Sequence, residues 1–261
     1  MRWCTLAACP EGCNCDRING WAAPGGVYGP RLGGNIARHE PRTLQALTVP
    51  LDTSNTDPSH IHVVVLAAGA STRFGATKQL VRVGGRPLMH TVISRAVELA
   101  GHSVTVVLGA HAGELAPLLK HSPASVTVNR EWSEGIASSI REGIAHTPAT
   151  ADGIMFVLAD QAAVTTEDLR RLAGAWRRNP SSIVAAQYAG RVGVPAIFPR
   201  WCFRELNELR GDRGAQSLLQ RHVDRVVRLA MPSAELDIDR PEDLLALEVA
   251  TQVKRQQLSD S

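Results

Sequence analysis

The stretch VVVLAAGASTRFGATKQL, residues 63–80, joins a β-branched run to a string of small residues that ends with two cations. Val63, Val64, Val65 and Leu66 are apolar at every position, which suits a strand buried on both faces rather than one with a solvated side. Ala67, Ala68, Gly69, Ala70 and Ser71 carry so little side chain that backbone N–H groups can come close to a ligand. Arg73 then offers a planar fork and Lys78 a point charge. Two readings are open here: a surface turn with solvated cations, or a cradle for an anion such as a polyphosphate. Five residues separate Gly69 from Gly75, no lysine follows directly, and no GxGxxG is present. A Walker A loop and a nicotinamide-type dinucleotide fingerprint therefore both lack their main support.

Outward from this stretch, short apolar runs alternate with amphipathic segments. Strands are predicted at 61–67, 103–109, 125–128, 153–159, 182–187, 194–198 and 225–230. Helices are predicted at 87–100, at 134–146 with Ser133 as cap, and at 166–178, where Leu169, Leu172, Ala173 and Trp176 share a face. The alternation implies an α/β fold with a doubly wound, mostly parallel sheet, whose ligands bind at the carboxyl ends of the strands. QYAGRVGVPAIF, residues 187–198, reads instead as two short strands around a Gly-rich turn, a small antiparallel insertion placed over the site. Residues 1–60 are punctuated by Gly and Pro and are expected to form a disordered extension, residues 61–250 the folded domain, and residues 251–261 a tail.

Composition narrows the function. With 44% hydrophobic residues, 20% charged residues and a net charge of +3, there is no broad electrostatic case for a nucleic acid or membrane partner, so any anion site is local. No apolar run approaches the roughly 18 residues of a membrane span. Cys9 follows too short an apolar segment for an export signal, and a cytoplasmic location is expected. Cys4, Cys9, Cys13 and Cys15 have no recognised metal-site spacing.

Two acids stand out. Asp160 ends the apolar run GIMFVLAD, and Thr165 or Thr166 starts the following helix better, so Asp160 has no evident capping role. Asp237 lies in ELDIDRPEDL, where Asp239 and Glu242 have the spacing of a capping box and leave Asp237 spare. Mg2+ is commonly held by one or two carboxylates together with phosphate oxygens and water.

The segment LAAGASTRFGATKQLVRVGGRPLMH, with Gly69, Ser71, Arg73, Gly75 and Lys78, resembles the signature of nucleotidyltransferases related to the molybdenum cofactor enzymes MobA and MocA. ADQA at 159–162 resembles that family's GDQP, and DIDRPEDL at 237–244 its DIDTPEDL. NREWSEGIASSIREGI at 129–144 and GDRGAQSLLQRH at 211–222 extend the likeness, which covers about 61–248.

The resemblance implies a nucleotide site at Leu66, Ala67, Ala68, Gly69, Ser71, Arg73, Lys78, Asn129 and Ser138, and Mg2+ on Asp160 and Asp237. Lys78, Arg73 and Asp160 would be catalytic, and Arg213 and Gly214 would meet the acceptor. Where many MocA-like enzymes have Gly-His-Pro, this chain has Gly193, Val194 and Pro195. LAAG resembles the pyrimidine-using branch, implying CTP as donor and molybdopterin as acceptor. UTP, a sugar or polyol phosphate acceptor, and a noncatalytic accessory role delivering cofactor to a molybdoenzyme stay compatible with the sequence.

Overall fold

The computed structural model describes residues 60–72, 74–238 and 243–244. The expected extension over 1–59, Arg73, the Asp239–Glu242 capping box and the 251–261 tail lie outside the described residues.

From β1 (Ile61–Ala67) the chain passes through the small-residue loop and a hairpin of β2 (Arg82–Val83) and β3 (Arg86–Pro87) into α1 (Leu88–Ala100). Next come β4 (Val104–Leu108), α2 (Ala112–Leu115), β5 (Ser125–Val128) and α3 (Ile136–Ala145). β6 (Gly153–Leu158), α4 (Thr166–Arg178), β7 (Ile183–Tyr188) and β8 (Arg191–Pro199) lead to α5 (Phe203–Asn207), α6 (Gln216–Arg221) and β9 (Val226–Ala230). The main sheet has seven strands in the order β5-β4-β1-β6-β8-β7-β9, parallel except for β8, which runs against both neighbours. This is the predicted α/β fold.

β1 is central and has no solvated face. Val63, Val65 and Ala67 pack toward α1 and α4, against Leu88, Val92, Leu169 and Trp176, while Val64 and Leu66 pack toward α3 with Ile140, Phe156 and Phe198. Burial on both sides is the reason the strand reads as an unbroken apolar run. Each fully covered Val or Leu contributes about 1.5–3 kcal/mol of transfer free energy. Among the described residues no helix is long and apolar enough to cross a membrane.

The strand order puts a topological switch point at the end of β1. The chain moves from β1 to β4 and β5, then returns to β6 on the other side of β1, so the crossovers diverge at the carboxyl ends of β1 and β6. Because β8 is antiparallel to β6, with Phe156 opposite Ala196 and Gly153 opposite Pro199, its first residues project toward that same edge. β9 runs parallel to β7, which brings the segment after Ala230 there as well.

Three expectations change. The second strand of the antiparallel pair, present as expected and joined to the main sheet, runs from Arg191 instead of Val194, since Gln187 and Tyr188 extend the β7 pairing to Val192 and Arg191. Pro87, expected to open α1, belongs to β3 instead, and Gly84 and Gly85 turn the β2–β3 hairpin at φ 57° and 82°, values that favour glycine at both positions. Helix α3 is capped by Gly135 and not by Ser133, which sits in the short 3-10 turn Trp132–Glu134. The reason is tertiary: Ala137 N–H donates to the Gly211 carbonyl at 3.1 Å, so a distant loop satisfies the helix start. Thr165, by contrast, caps α4 in a reciprocal capping box with Asp168, which leaves Asp160 out of any role at that helix start.

Candidate functional site

A cavity of about 410 Å³ opens at the carboxyl edge of β1 and β6. Leu66, Ala67, Ala68, Gly69 and Ala70 form one wall, Leu158, Ala159 and Asp160 another, and Trp132, Ile136 and Ser139 close the α3 side. Ser71 lies in the same loop, with φ 53°. Nothing stands within 4 Å of where a Cβ on Gly69 would project, so the wall there is bare backbone beside open space.

The loop's peptide planes are held from outside the cavity. Ala110 N–H donates to the Ala68 carbonyl at 3.1 Å, and Gln79 Nε2 donates to the Gly69 carbonyl at 3.1 Å. His111 Nε2 meets the Ala70 carbonyl at 3.1 Å, an arrangement that requires a proton on Nε2. Gln79 also accepts from Ser71 Oγ at 3.1 Å, and it is 3% exposed, so a single buried amide ties the two ends of the glycine turn. Neither Gln79 nor His111 stands out in the sequence. Gln79 follows the conspicuous lysine, and His111 supports the loop from 41 positions away.

Lys78 and Asp160 meet directly, Nζ to Oδ2 at 2.7 Å, with side chains 13% and 19% exposed. The other oxygen of Asp160, Oδ1, is buried and has no hydrogen-bond partner among the described residues. Asp237 adjoins it, because the Ile238 N–H donates to the Asp160 carbonyl at 3.4 Å. Asp237 forms an ion pair with Arg191 at 3.8 Å. Gln161, fully buried, fastens this corner by donating from Nε2 to the carbonyls of Val194 and Ala234, both at 3.1 Å. Two acids brought near one another by that backbone contact, Asp160 with a buried orphan oxygen, carry hard donors of the kind Mg2+ or Mn2+ takes. The donor set fits a divalent ion.

A second cavity of about 280 Å³ continues past Asp212, which lines both. Its floor is Leu66, Ile140, Phe156 and Leu158, and its rim carries Tyr188, Arg191, Gly214, Gln216 and Asp237. Burial, and then the nearby charge of Asp237, holds the Tyr188 hydroxyl above its ordinary pKa. That hydroxyl donates to the Val194 carbonyl at 3.1 Å. Among the other residues singled out, Gly214 lines this second cavity, while Arg213 is exposed and lines neither. Asn129 and Ser138 are 4% and 3% exposed and bond to each other at 2.8 Å, holding the start of α3; their neighbour Ser139 is the one that lines the first cavity.

Bare backbone, a lysine–carboxylate pair and a second acid gather at the switch point of a doubly wound sheet, the place where α/β proteins of this class bind their ligands. The chain belongs to the family with the MobA-like NTP transferase domain, whose model matches residues 63–226. It is 29% identical over 205 residues to nicotine blue oxidoreductase of Paenarthrobacter nicotinovorans, covering 74% of this chain and 98% of that protein. It is 29% identical over 198 residues to the purine catabolism protein PucB of Bacillus subtilis, covering 69% and 92%. The crystal structure of Rv0371c from Mycobacterium tuberculosis matches with TM-score 0.64 at 30% identity, over 73% of this chain and 98% of that one. Its complex with manganese matches with TM-score 0.61 at 28% identity, over 72% and 97%.

Proposed function

We propose that this protein is a divalent-metal-dependent nucleotidyltransferase that moves CMP from CTP to the phosphate of molybdopterin and releases pyrophosphate. The observation that carries the proposal is the Lys78–Asp160 pair at 2.7 Å in a cavity walled by bare backbone, with Asp237 on the adjoining second cavity. Leu66, Ala67, Ala68, Gly69 and Ser71 receive the nucleotide. Because three successive carbonyls of this loop are engaged by Ala110, Gln79 and His111, its peptide groups are preset and need little reorganisation on binding. Lys78 and Arg73 meet the triphosphate charge, and Asn129 and Ser138 act by setting the start of α3. Asp160 and Asp237 hold Mg2+ or Mn2+, in keeping with the manganese complex of Rv0371c. When bound, the ion neutralises phosphate charge and polarises the α-phosphoryl group.

The acceptor enters through the second cavity, past Gly214, with the exposed Arg213 outside its lining. Its phosphate is already ionised near neutral pH, so the chain need only align that oxygen with the α-phosphorus and hold water away; no general base is required. The apolar floor of Leu66, Ile140, Phe156 and Leu158 favours an acceptor with a flat, weakly polar body over a sugar or polyol phosphate. One relative bears the name of an oxidoreductase. Paired carboxylates beside a loop without GxGxxG favour phosphoryl chemistry for this chain.

Pyrophosphate release with CTP, UTP, GTP and ATP, each against molybdopterin and a sugar phosphate, tests the assignment. CTP with molybdopterin is expected to turn over fastest. Faster turnover by another pair moves the substrate assignment, and no turnover with any pair but tight molybdopterin binding replaces the enzyme with an accessory role.

A further inference from the structure

Two acids in this site are each paired with a cation that arrives from a different side. Lys78 reaches Asp160 from the loop that follows β1, and Arg191 reaches Asp237 from the start of β8, on the second cavity. The two pairs differ in character. Lys78–Asp160 is short and mostly covered. Arg191–Asp237 is 3.8 Å long, with the arginine side chain 53% exposed, so the contact is weak and the side chain is free to turn at small cost. The Arg191 guanidinium also lies 5.1 Å from the centre of the Tyr188 ring, which fixes its resting direction along the cavity rim.

Resting on the function proposed above, we propose that Arg191 recognises the anionic group of the acceptor and that it competes with the divalent ion for Asp237. A metal ion that takes the Asp237 carboxylate removes the charge that draws Arg191 and repels the guanidinium. The side chain then turns into the second cavity, where a planar fork matches a phosphate in bidentate fashion. Metal binding and acceptor binding are coupled in this way, and an acceptor without a phosphate leaves the arginine unmatched. The apolar floor of that cavity accommodates the body of the molecule and Arg191 its charged end.

The test uses the full chain, with Mn2+ as the metal probe, read from the paramagnetic resonance signal of the free ion, and phenyl phosphate as the acceptor probe, read by calorimetry. Arg191→Gln is expected to tighten Mn2+ binding in the absence of nucleotide by about two- to fivefold, the scale of an exposed ion pair. It should weaken phenyl phosphate binding in the presence of Mn2+ by about tenfold, the scale of a charge-assisted contact. Arg191→Lys keeps the charge and is expected to leave Mn2+ affinity near that of the parent while still weakening phenyl phosphate. Arg228→Gln removes the same charge from the neighbouring groove, which Arg228 and Arg191 both line, and should change neither affinity.

Unchanged or weaker Mn2+ binding by Arg191→Gln overturns the proposal, as does an equal gain in Arg228→Gln, which would mean that net charge alone is at work. Failure of the parent chain to bind phenyl phosphate overturns the acceptor half. If the expected Mn2+ changes appear but no nucleotide–acceptor pair releases pyrophosphate, the competition stands and the reaction assigned above fails.

Discussion

Lys78 and Asp160, 82 positions apart in the chain, bond at 2.7 Å where the carboxyl ends of β1 and β6 meet. Asp160 follows the end of β6 by two residues, whereas Lys78 opens the 3-10 turn Lys78–Leu80 beyond the small-residue loop, so the contact joins a strand end to the far end of that loop. In the function proposed above, the cation would meet the triphosphate and the acid the metal ion.

Lys78→Ala should lower kcat/KM for CTP by about two to three orders of magnitude, the usual effect of removing one preorganised group that meets developing charge. The midpoint of thermal unfolding should also fall, since the pair is mostly covered and the truncation leaves the Asp160 carboxylate without this cation. Asp160→Asn and Asp237→Asn should each weaken Mn2+ binding, and the double variant should be scarcely worse in turnover than Asp160→Asn alone, because the two acids act as one ligand set. Full additivity of the two losses would argue against a shared ion.

Gln79→Ala removes the buried amide that joins Gly69 to Ser71. The expected result is a KM for CTP raised about tenfold with a smaller change in kcat, alongside a loss of about 1–2 kcal/mol in urea unfolding from the buried carbonyl left unmatched. A stability loss with unaltered KM would mean that the loop keeps its shape without the clamp.

Gly135→Ala puts a methyl group into backbone. At φ +119° the position disfavours any side chain, and a Cβ would fall 2.5 Å from both the Gly211 carbonyl oxygen and Asp212 Oδ1. We expect a loss of at least about 2 kcal/mol in chemical denaturation. Acceptor affinity should fall further than CTP affinity, since the 211–214 loop borders the second cavity.

His62 supplies a pH dependence away from the site. It is buried in β1, its Nε2 2.9 Å from Thr105 Oγ1, and burial lowers its pKa from 6.5 to about 4. The folded chain keeps the imidazole neutral while the unfolded chain takes up a proton below pH 6.5, so stability is full above that value and declines as pH falls toward 4. The loss is at most about 3 kcal/mol. Urea unfolding at pH 7 and pH 4.5 checks this, and His62→Gln should flatten the slope between them.

The amino-acid sequence by itself determined the alternation of strands and helices, the small-residue loop after β1 and an acid, Asp160, with no role at the start of α4. These were legible because they are local. A strand covered on both faces is written as consecutive apolar residues, and Thr165 with Asp168 already accounts for the start of α4. Only the tertiary structure decided that Gln79 and His111 brace the loop, that Gly135 displaces Ser133 as the cap of α3, and that Arg191 faces Asp237. Each of these depends on a meeting of separate segments: Gly211 with Ala137, Ala70 with His111, and β8 turned against β6 so that its first residues reach Asp237. Contacts of that kind follow from sheet order and strand direction, and they leave no periodic trace in the segments they join.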